Sequence, residues 1–252
     1  MVFLKGFCRL SDNQSGGTCM PFKRIFFVLS GLLIVNVSVL WAGDSASFVD
    51  LGFSSDGNIY MFAQYGVKSG LLRPWADLFV VDVARNDFIP ESRISYTHDK
   101  PIEAGQDGSS ALYRVITKNT GLAERYEVSY PHQGQPLYIA LSGDPAYEGK
   151  MITFRDFVSD ISYRASLVET VNGSGKGVRS SFYIKLESVD SDGEQKTFTI
   201  GTSGLERPSI LSYRIKKVLM APSGNALIFV IEMKCHAENG PDIRYMVEAL
   251  RF

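Results

Sequence analysis

The segment Phe182-Tyr183-Ile184-Lys185-Leu186-Glu187 is followed by the turn Asp190-Ser191-Asp192-Gly193 and then by Thr197-Phe198-Thr199-Ile200. Apolar and polar side chains alternate on both sides of the turn, as they do in strands that bury one face. An Asp-Gly pair between two such runs is typical of a hairpin. The segment therefore predicts an antiparallel hairpin whose apolar face lies on a core.

The same period-two pattern recurs through the second half of the chain. Two further runs, Leu78–Val81 and Ala226–Ile231, are apolar on both faces, which predicts central strands covered on both sides. The sequence predicts a mainly β protein, either an antiparallel sandwich or a propeller-like assembly of short strands. The other candidate strands are Arg125–Tyr130, Leu137–Leu141, Ile152–Val158 and Ile161–Val168.

One segment has helical spacing instead. Leu112, Val115 and Ile116 lie three and four residues apart after a polar cluster that can begin a helix. Gly121 is placed to end it. The sequence predicts a single helix near residues 109–120.

Composition and charge exclude several classes of function. The 252 residues include 26 Lys and Arg against 27 Asp and Glu, a net charge of −1, which gives no basic field for nucleic acid. Cys8, Cys19 and Cys235 are too few and too scattered for a disulfide scaffold or a cysteine-rich zinc site. The histidines show no ligand spacing, so no metal and no cofactor is predicted.

The N-terminal region has the layout of an export signal. Basic residues in 20–24 precede an apolar run over 25–41, and the small residues Ala42 and Gly43 follow. We expect a signal peptide over residues 20–43, cleaved after Ala42 or Gly43, and an exported β-rich domain over 44–252, in the periplasm or secreted. Residues 1–19 are interpreted as a dispensable or wrongly assigned extension. An uncleaved inner-membrane anchor over 25–41 is the alternative.

Two distant segments resemble each other. Residues 51–62 and residues 218–229 each show a strand, a tight turn with a glycine, at Gly57 or Gly224, and a second strand. A third strand follows each copy, predicted at Asp77–Val83 and at Asp242–Ala249. Glycine fits these turns because one residue there takes a positive φ.

These segments also resemble known families. The runs Phe48–Gly57, Gln64–Val67, Asp77–Val83 and Gly240–Tyr245 are similar to a bacterial family of predicted secreted proteins of unknown function. The repeated strand-turn-strand units resemble blades of periplasmic translocation-protein β-propellers. The resemblance implies export and a shared fold, without an assigned reaction.

No catalytic motif stands out. Cys235 and His236 are neighbours in an extended segment and point to opposite faces, so they cannot share a proton easily. Ser174 lacks the flanking strand and helix of a nucleophile elbow. The sequence favours a non-catalytic interaction or ligand-binding module of the cell envelope. A periplasmic hydrolase with a carboxylate-based site is the alternative.

The predicted binding site lies at the long loops after the second strand of each repeat, Tyr65–Trp75 and Lys234–Pro241. Aromatic and arginine side chains are frequent anchors of recognition sites. The partner is expected to be an envelope protein or a small ligand. In the competing interpretation, Trp75 packs on the core and Arg244 pairs with Asp77 or Asp82. The predicted site residues are Tyr65, Arg73, Trp75, Asp77, Asp242, Arg244 and Tyr245.

Overall fold

A computed structural model describes residues 43–103, 105–141 and 150–252. The predicted signal peptide lies outside this range except for Gly43, as do the N-terminal extension and the alternative anchor. The described residues belong to one unit that ends at Phe252. The strands are β1 (Ser47–Ser54), β2 (Ile59–Lys68), β3 (Arg73–Asp82), β4 (Asp87–Phe88), β5 (Ile94–Thr97), β6 (Val128–Ser129), β7 (Gln135–Ile139), β8 (Met151–Asp156), β9 (Ile161–Asn172), β10 (Arg179–Val189), β11 (Gln195–Ile200), β12 (Arg207–Pro208), β13 (Ile210–Met220), β14 (Ala226–Cys235) and β15 (Asp242–Arg251).

The strands form three antiparallel sheets. The first, here the helix-side sheet, has the order β4-β3-β2-β1-β6, with β5 also paired to β3. The central sheet has the order β15-β14-β13-β7. The outer sheet has the order β11-β10-β9-β8, with β12 paired to β10. The prediction of a mainly β, sandwich-like fold is confirmed.

The hairpin predicted over residues 182–200 is present. Strands β10 and β11 pair antiparallel, with Ile184 opposite Ile200 and Leu186 opposite Phe198. Phe182, Ile184 and Leu186 are fully buried, because the alternation places all three on the face that meets the central sheet.

The two similar segments form two matching units of three strands. Strands β1, β2 and β3 form one antiparallel meander, and β13, β14 and β15 form the other. Gly57 and Gly224 have φ of 71° and 69°, as the turns require. A Cβ on Gly57 would lie 2.3 Å from Ser223 Oγ, so the two turns meet at the same end of the stack.

The central sheet is covered on both faces. One face packs on the outer sheet through side chains such as Leu227, Phe229 and Ile231. The other packs on the helix-side sheet, where Ile228 and Val230 meet aromatic side chains of β2 and β3. Strand β14 is therefore the doubly covered strand that its continuous apolar run predicts.

Two helices cover the remaining face of the helix-side sheet. The predicted helix is present as α1 (Ser109–Lys118), and its Leu112 and Val115 pack on that sheet. A second, short helix α2 (Thr120–Arg125) follows, so the expectation of one helix that ends at Gly121 is wrong. Asn119 separates the two helices, and Gly121 lies inside the second. The strand predicted over Arg125–Tyr130 shortens to β6 for the same reason.

Candidate functional site

The connections that follow β2 and β14 lie side by side. They are the turn Ser69–Leu72 and the loop His236–Pro241, here called the loop edge. A Cβ on Gly70 would lie 3.7 Å from Asn239 Nδ2, and a cleft of about 260 Å³ lies between the two connections. The first connection is shorter than predicted, because β2 and β3 stay paired out to Lys68 and Arg73.

Arg244 is the centre of the interactions beneath the loop edge. Its Nη2 donates to Asp44 Oδ2 at 2.8 Å and to Asp242 Oδ2 at 3.1 Å. Its Nη1 donates to the carbonyl oxygens of Asp44 and Ile243 at 3.0 and 2.8 Å. Both terminal nitrogens of the guanidinium are thus bonded within the chain.

The ring of Trp75 lies under the same guanidinium. Arg244 Cζ lies 4.4 Å from the ring centroid, and Trp75 is only 4% exposed. Trp75 therefore packs on the core, as the competing interpretation expected, and adds a cation–π contact. The acidic partners of Arg244 are Asp44 and Asp242, rather than Asp77 or Asp82.

Asp44 fastens the start of the described chain to strand β15. Its N–H donates to Asp242 Oδ1 at 2.8 Å, and its carbonyl accepts the N–H of Ile243 at 2.9 Å. Burial raises the pKa of the Asp44 carboxyl, and the Arg244 charge opposes that rise. The interaction is an ion triad with two carboxylates and one arginine, tied into backbone hydrogen bonds.

Gln64 links two more of the predicted residues. Its Oε1 accepts the N–H of Tyr245 at 2.8 Å, and its Nε2 donates to Asp77 Oδ2 at 3.4 Å. The Tyr245 hydroxyl donates to Glu232 Oε2 at 3.3 Å. The Gln64 side-chain amide thus pairs a buried N–H group on the edge strand β15, which would otherwise lack a partner.

The structure brings Trp75, Asp242, Arg244 and Tyr245 together and connects Asp77 to them through Gln64. Tyr65 lies on the opposite face of β2, against the cluster that contains α1. Period-two alternation explains this position, because Tyr65 follows Gln64 directly.

Arg73 remains at the rim. It begins β3, is exposed, and forms no ion pair among the described residues. Lys68, at the other end of the same turn, is exposed as well. Between these two cations, Leu71 and Leu72 are 58% and 54% exposed.

Other titratable side chains among the described residues have pKa values that burial raises. The pKa values of Asp50 and Glu248 are raised by burial, and Lys217 and Arg207, respectively, oppose these rises. Burial also raises the pKa of the Cys235 thiol, which disfavours the thiolate. Within the described ranges no cluster of three or more potential metal ligands exists.

Over the described residues the architecture defines a class of protein: three stacked antiparallel sheets with two helices on one outer face. The family model described as "Predicted secreted protein (DUF2259)" matches residues 61–251. The chain belongs to this family of predicted secreted proteins of unknown function. A search of curated proteins finds no match. In the part of the chain that the structure describes, no helix is both long and apolar enough to span a bilayer.

Proposed function

We propose that this secreted protein is a non-catalytic interaction module of the bacterial cell envelope, and that it contacts its partner through the loop edge. The observation that carries the proposal is the exposed pair Leu71 and Leu72, flanked by Lys68 and Arg73, on a firmly held turn. Exposed apolar side chains rimmed by charge are typical of interaction sites.

The turn is held from both sides. The N–H of Leu72 donates to the Lys68 carbonyl at 2.9 Å, and the Leu72 carbonyl accepts the N–H of Ile102 at 2.7 Å. Leu72 has a φ of 51°, a left-handed conformation that costs a non-glycine residue on the order of 1 kcal/mol. A strained, exposed leucine in a fixed turn supports a binding role, because packing within the chain does not require it there.

The ion triad beneath supports the module by fixing the two connections relative to each other. Arg244 binds Asp44, which precedes β1, and Asp242 of β15, and its guanidinium stacks on the Trp75 ring of β3. The predicted site residues Trp75, Asp242, Arg244 and Tyr245 act in this proposal as positioning residues, and Arg73 acts as a contact residue.

A photo-cross-linking amino acid at position 71 tests the proposal in intact cells. The matched control carries the same amino acid at Tyr113, which is 68% exposed on α1. We expect one adduct of defined mass from position 71 that is missing from position 113. Arg73→Ala together with Leu72→Ser should abolish that adduct. Equal labelling from both positions, or an adduct that survives both substitutions, would contradict the proposal.

The alternative is a periplasmic hydrolase with a carboxylate-based site. The carboxylates of Asp44 and Asp242 share one arginine nitrogen, and the Asp44 residue is 4% exposed. This arrangement favours a structural role. Hydrolysis of glycan or ester substrates that is lost in Asp242→Asn, with the fold intact by circular dichroism, would favour the enzyme.

A further inference from the structure

A second surface lies at the other end of the stack from the loop edge. A cleft of about 420 Å³ lies there between side chains of the outer and central sheets, near the turn between β13 and β14. Its walls are mainly apolar and include Ile161, Tyr163, Phe198, Met220 and Phe252. We call it the turn-end cleft. It is independent of the loop edge and of the function proposed there.

The cleft continues the buried core between the two sheets. Met220 and Tyr163 belong to that core, and Ile161 and Phe198 pack against it. Phe252 lies at the mouth, with its ring centroid 5.9 Å from that of Phe198 and with half of its surface exposed. Apolar surface that continues the core between the sheets is therefore open to solvent at this end of the stack.

Of the described residues that line this apolar cleft, one is a cation, Lys196. Lys196, Phe198 and Ile200 alternate along β11, and Phe198 and Ile200 both contact the core. The same period places Lys196 on the inner face, where it lines the cleft. Lys196 forms no ion pair among the residues that the structure describes.

Apolar surface also lies exposed next to the cleft. Ser159, which lines the cleft, belongs to the turn between β8 and β9. Phe157 and Val158 in this turn are 81% and 82% exposed. Neighbouring apolar side chains with so much exposed surface are typical of contact sites for apolar ligands or partners.

We propose that the turn-end cleft binds an anionic amphiphile as a monomer, specifically a fatty carboxylate. The hydrocarbon chain lies between Phe198, Met220 and Phe252, and the carboxylate pairs with Lys196 at the mouth. The volume and the mainly apolar lining, with a few polar groups, match the general form of small-molecule sites. The unpaired lysine selects a negative over a neutral or positive head group.

Calorimetric titration of the secreted protein with dodecanoate, below its micelle concentration, tests the proposal. We expect saturable binding of one ligand per chain. Affinity should rise about fourfold per methylene from octanoate to dodecanoate, because each buried methylene adds a similar increment. Dodecyltrimethylammonium, with an equal chain and opposite charge, should bind at least fivefold more weakly.

Two variants locate the site. Lys196→Gln should weaken dodecanoate binding about fivefold and leave dodecyltrimethylammonium binding unchanged or stronger. Lys118→Gln, on the exposed face of α1, is the matched control and should change neither. Ser188→Leu places a larger side chain in the cleft and should abolish binding of both amphiphiles.

Several outcomes would overturn the proposal. They are failure of dodecanoate to bind, equal binding of the two amphiphiles, and dodecanoate binding that is unchanged in Lys196→Gln. Thermal unfolding tests whether the Ser188→Leu variant is folded. If that variant is unfolded, dodecanoate binding by Lys196→Gln alone tests the proposal. The protein could also sediment with phosphatidylglycerol vesicles and fail to bind monomeric dodecanoate. That result would assign the cleft to membrane binding and would also contradict the proposal.

Discussion

The two ends of the sheet stack differ in whether their charged side chains are paired within the chain. At the loop edge, the Arg244 guanidinium and two carboxylates are bonded to one another and to the backbone. At the turn-end cleft, Lys196 stands beside apolar side chains without an ion pair among the described residues. A charge that is satisfied within the chain holds the fold together, whereas an unpaired charge beside open apolar surface is available to a ligand.

The largest effect is expected from Arg244→Met. The substitution leaves the Asp44 and Asp242 carboxylates close together without their shared cation. We expect the free energy of unfolding to fall by about 3 kcal/mol, near the lower bound for breaking a buried pair, because Arg244 keeps some solvent contact. Urea denaturation measures the change.

Arg93→Met is the control for Arg244→Met. Arg93 lies 4.0 Å from Asp77, and its side chain is 68% exposed. An exposed pair of this kind contributes under about 1 kcal/mol. Similar losses from the two substitutions would show that the ion triad is not a structural tie.

A close backbone contact gives the next effect. A Cβ on Gly108, just before α1, would lie 2.4 Å from the carbonyl oxygen of Gly66 in β2. Gly108→Ala should therefore lower the free energy of unfolding by about 2 kcal/mol, since backbone must move. Gly121→Ala, where a Cβ meets nothing within 4 Å, should raise it by about 0.5 kcal/mol through helix propensity. Chemical denaturation of the two variants measures both changes in the free energy of unfolding.

The turn end allows a finer comparison between the two repeats. Gly57→Ala and Gly224→Ala each require a left-handed alanine, which costs on the order of 1 kcal/mol. At Gly57 the new Cβ also displaces Ser223 Oγ, which donates to Asn225 Oδ1 at 2.6 Å. We expect Gly57→Ala to cost about 0.5 kcal/mol more in the free energy of unfolding. Equal losses would show that the two turns do not meet in solution.

The smallest effect at neutral pH is expected from Tyr163→Phe in the turn-end cleft. Burial, with the nearby Asp156 charge, raises the pKa of Tyr163 to about 12 from its ordinary 10.0. The folded state then retains a proton that the unfolded state loses. The stability this provides is complete below pH 10 and disappears as pH rises toward 12. Tyr163→Phe should lack that part of the alkaline decline in the free energy of unfolding. Parallel curves for the two proteins would contradict a raised pKa.

Much of the fold could be predicted from short-range pattern. The alternation around Ile184 and the apolar run of β14 identify strands and their burial, since these depend on neighbours two residues apart. The glycines of the two turns and the helix over Ser109–Lys118 follow from equally local signals. The second helix was missed because Gly121, a residue that usually ends helices, lies inside it.

The candidate site could be predicted only in part. The repeat indicated that Trp75 and Arg244 lie near each other. The role of Asp44 depends on contacts across 200 positions, which no local pattern encodes. The one available signal was an acidic residue shortly after the apolar run over residues 25–41. The turn-end cleft gave no sequence signal, because Lys196 in an exposed strand resembles any solvated lysine.

Local sequence patterns were enough to predict most of the long strands, the turn glycines, the helix over Ser109–Lys118 and the resemblance to the secreted family. These follow from local backbone preference and side-chain period, which each segment carries alone. Contacts between distant residues set the acidic partners of Arg244 and the position of Lys196 beside an apolar cleft. The stacking of three sheets sets which charges meet and which stay open, and that outcome depends on packing between distant residues.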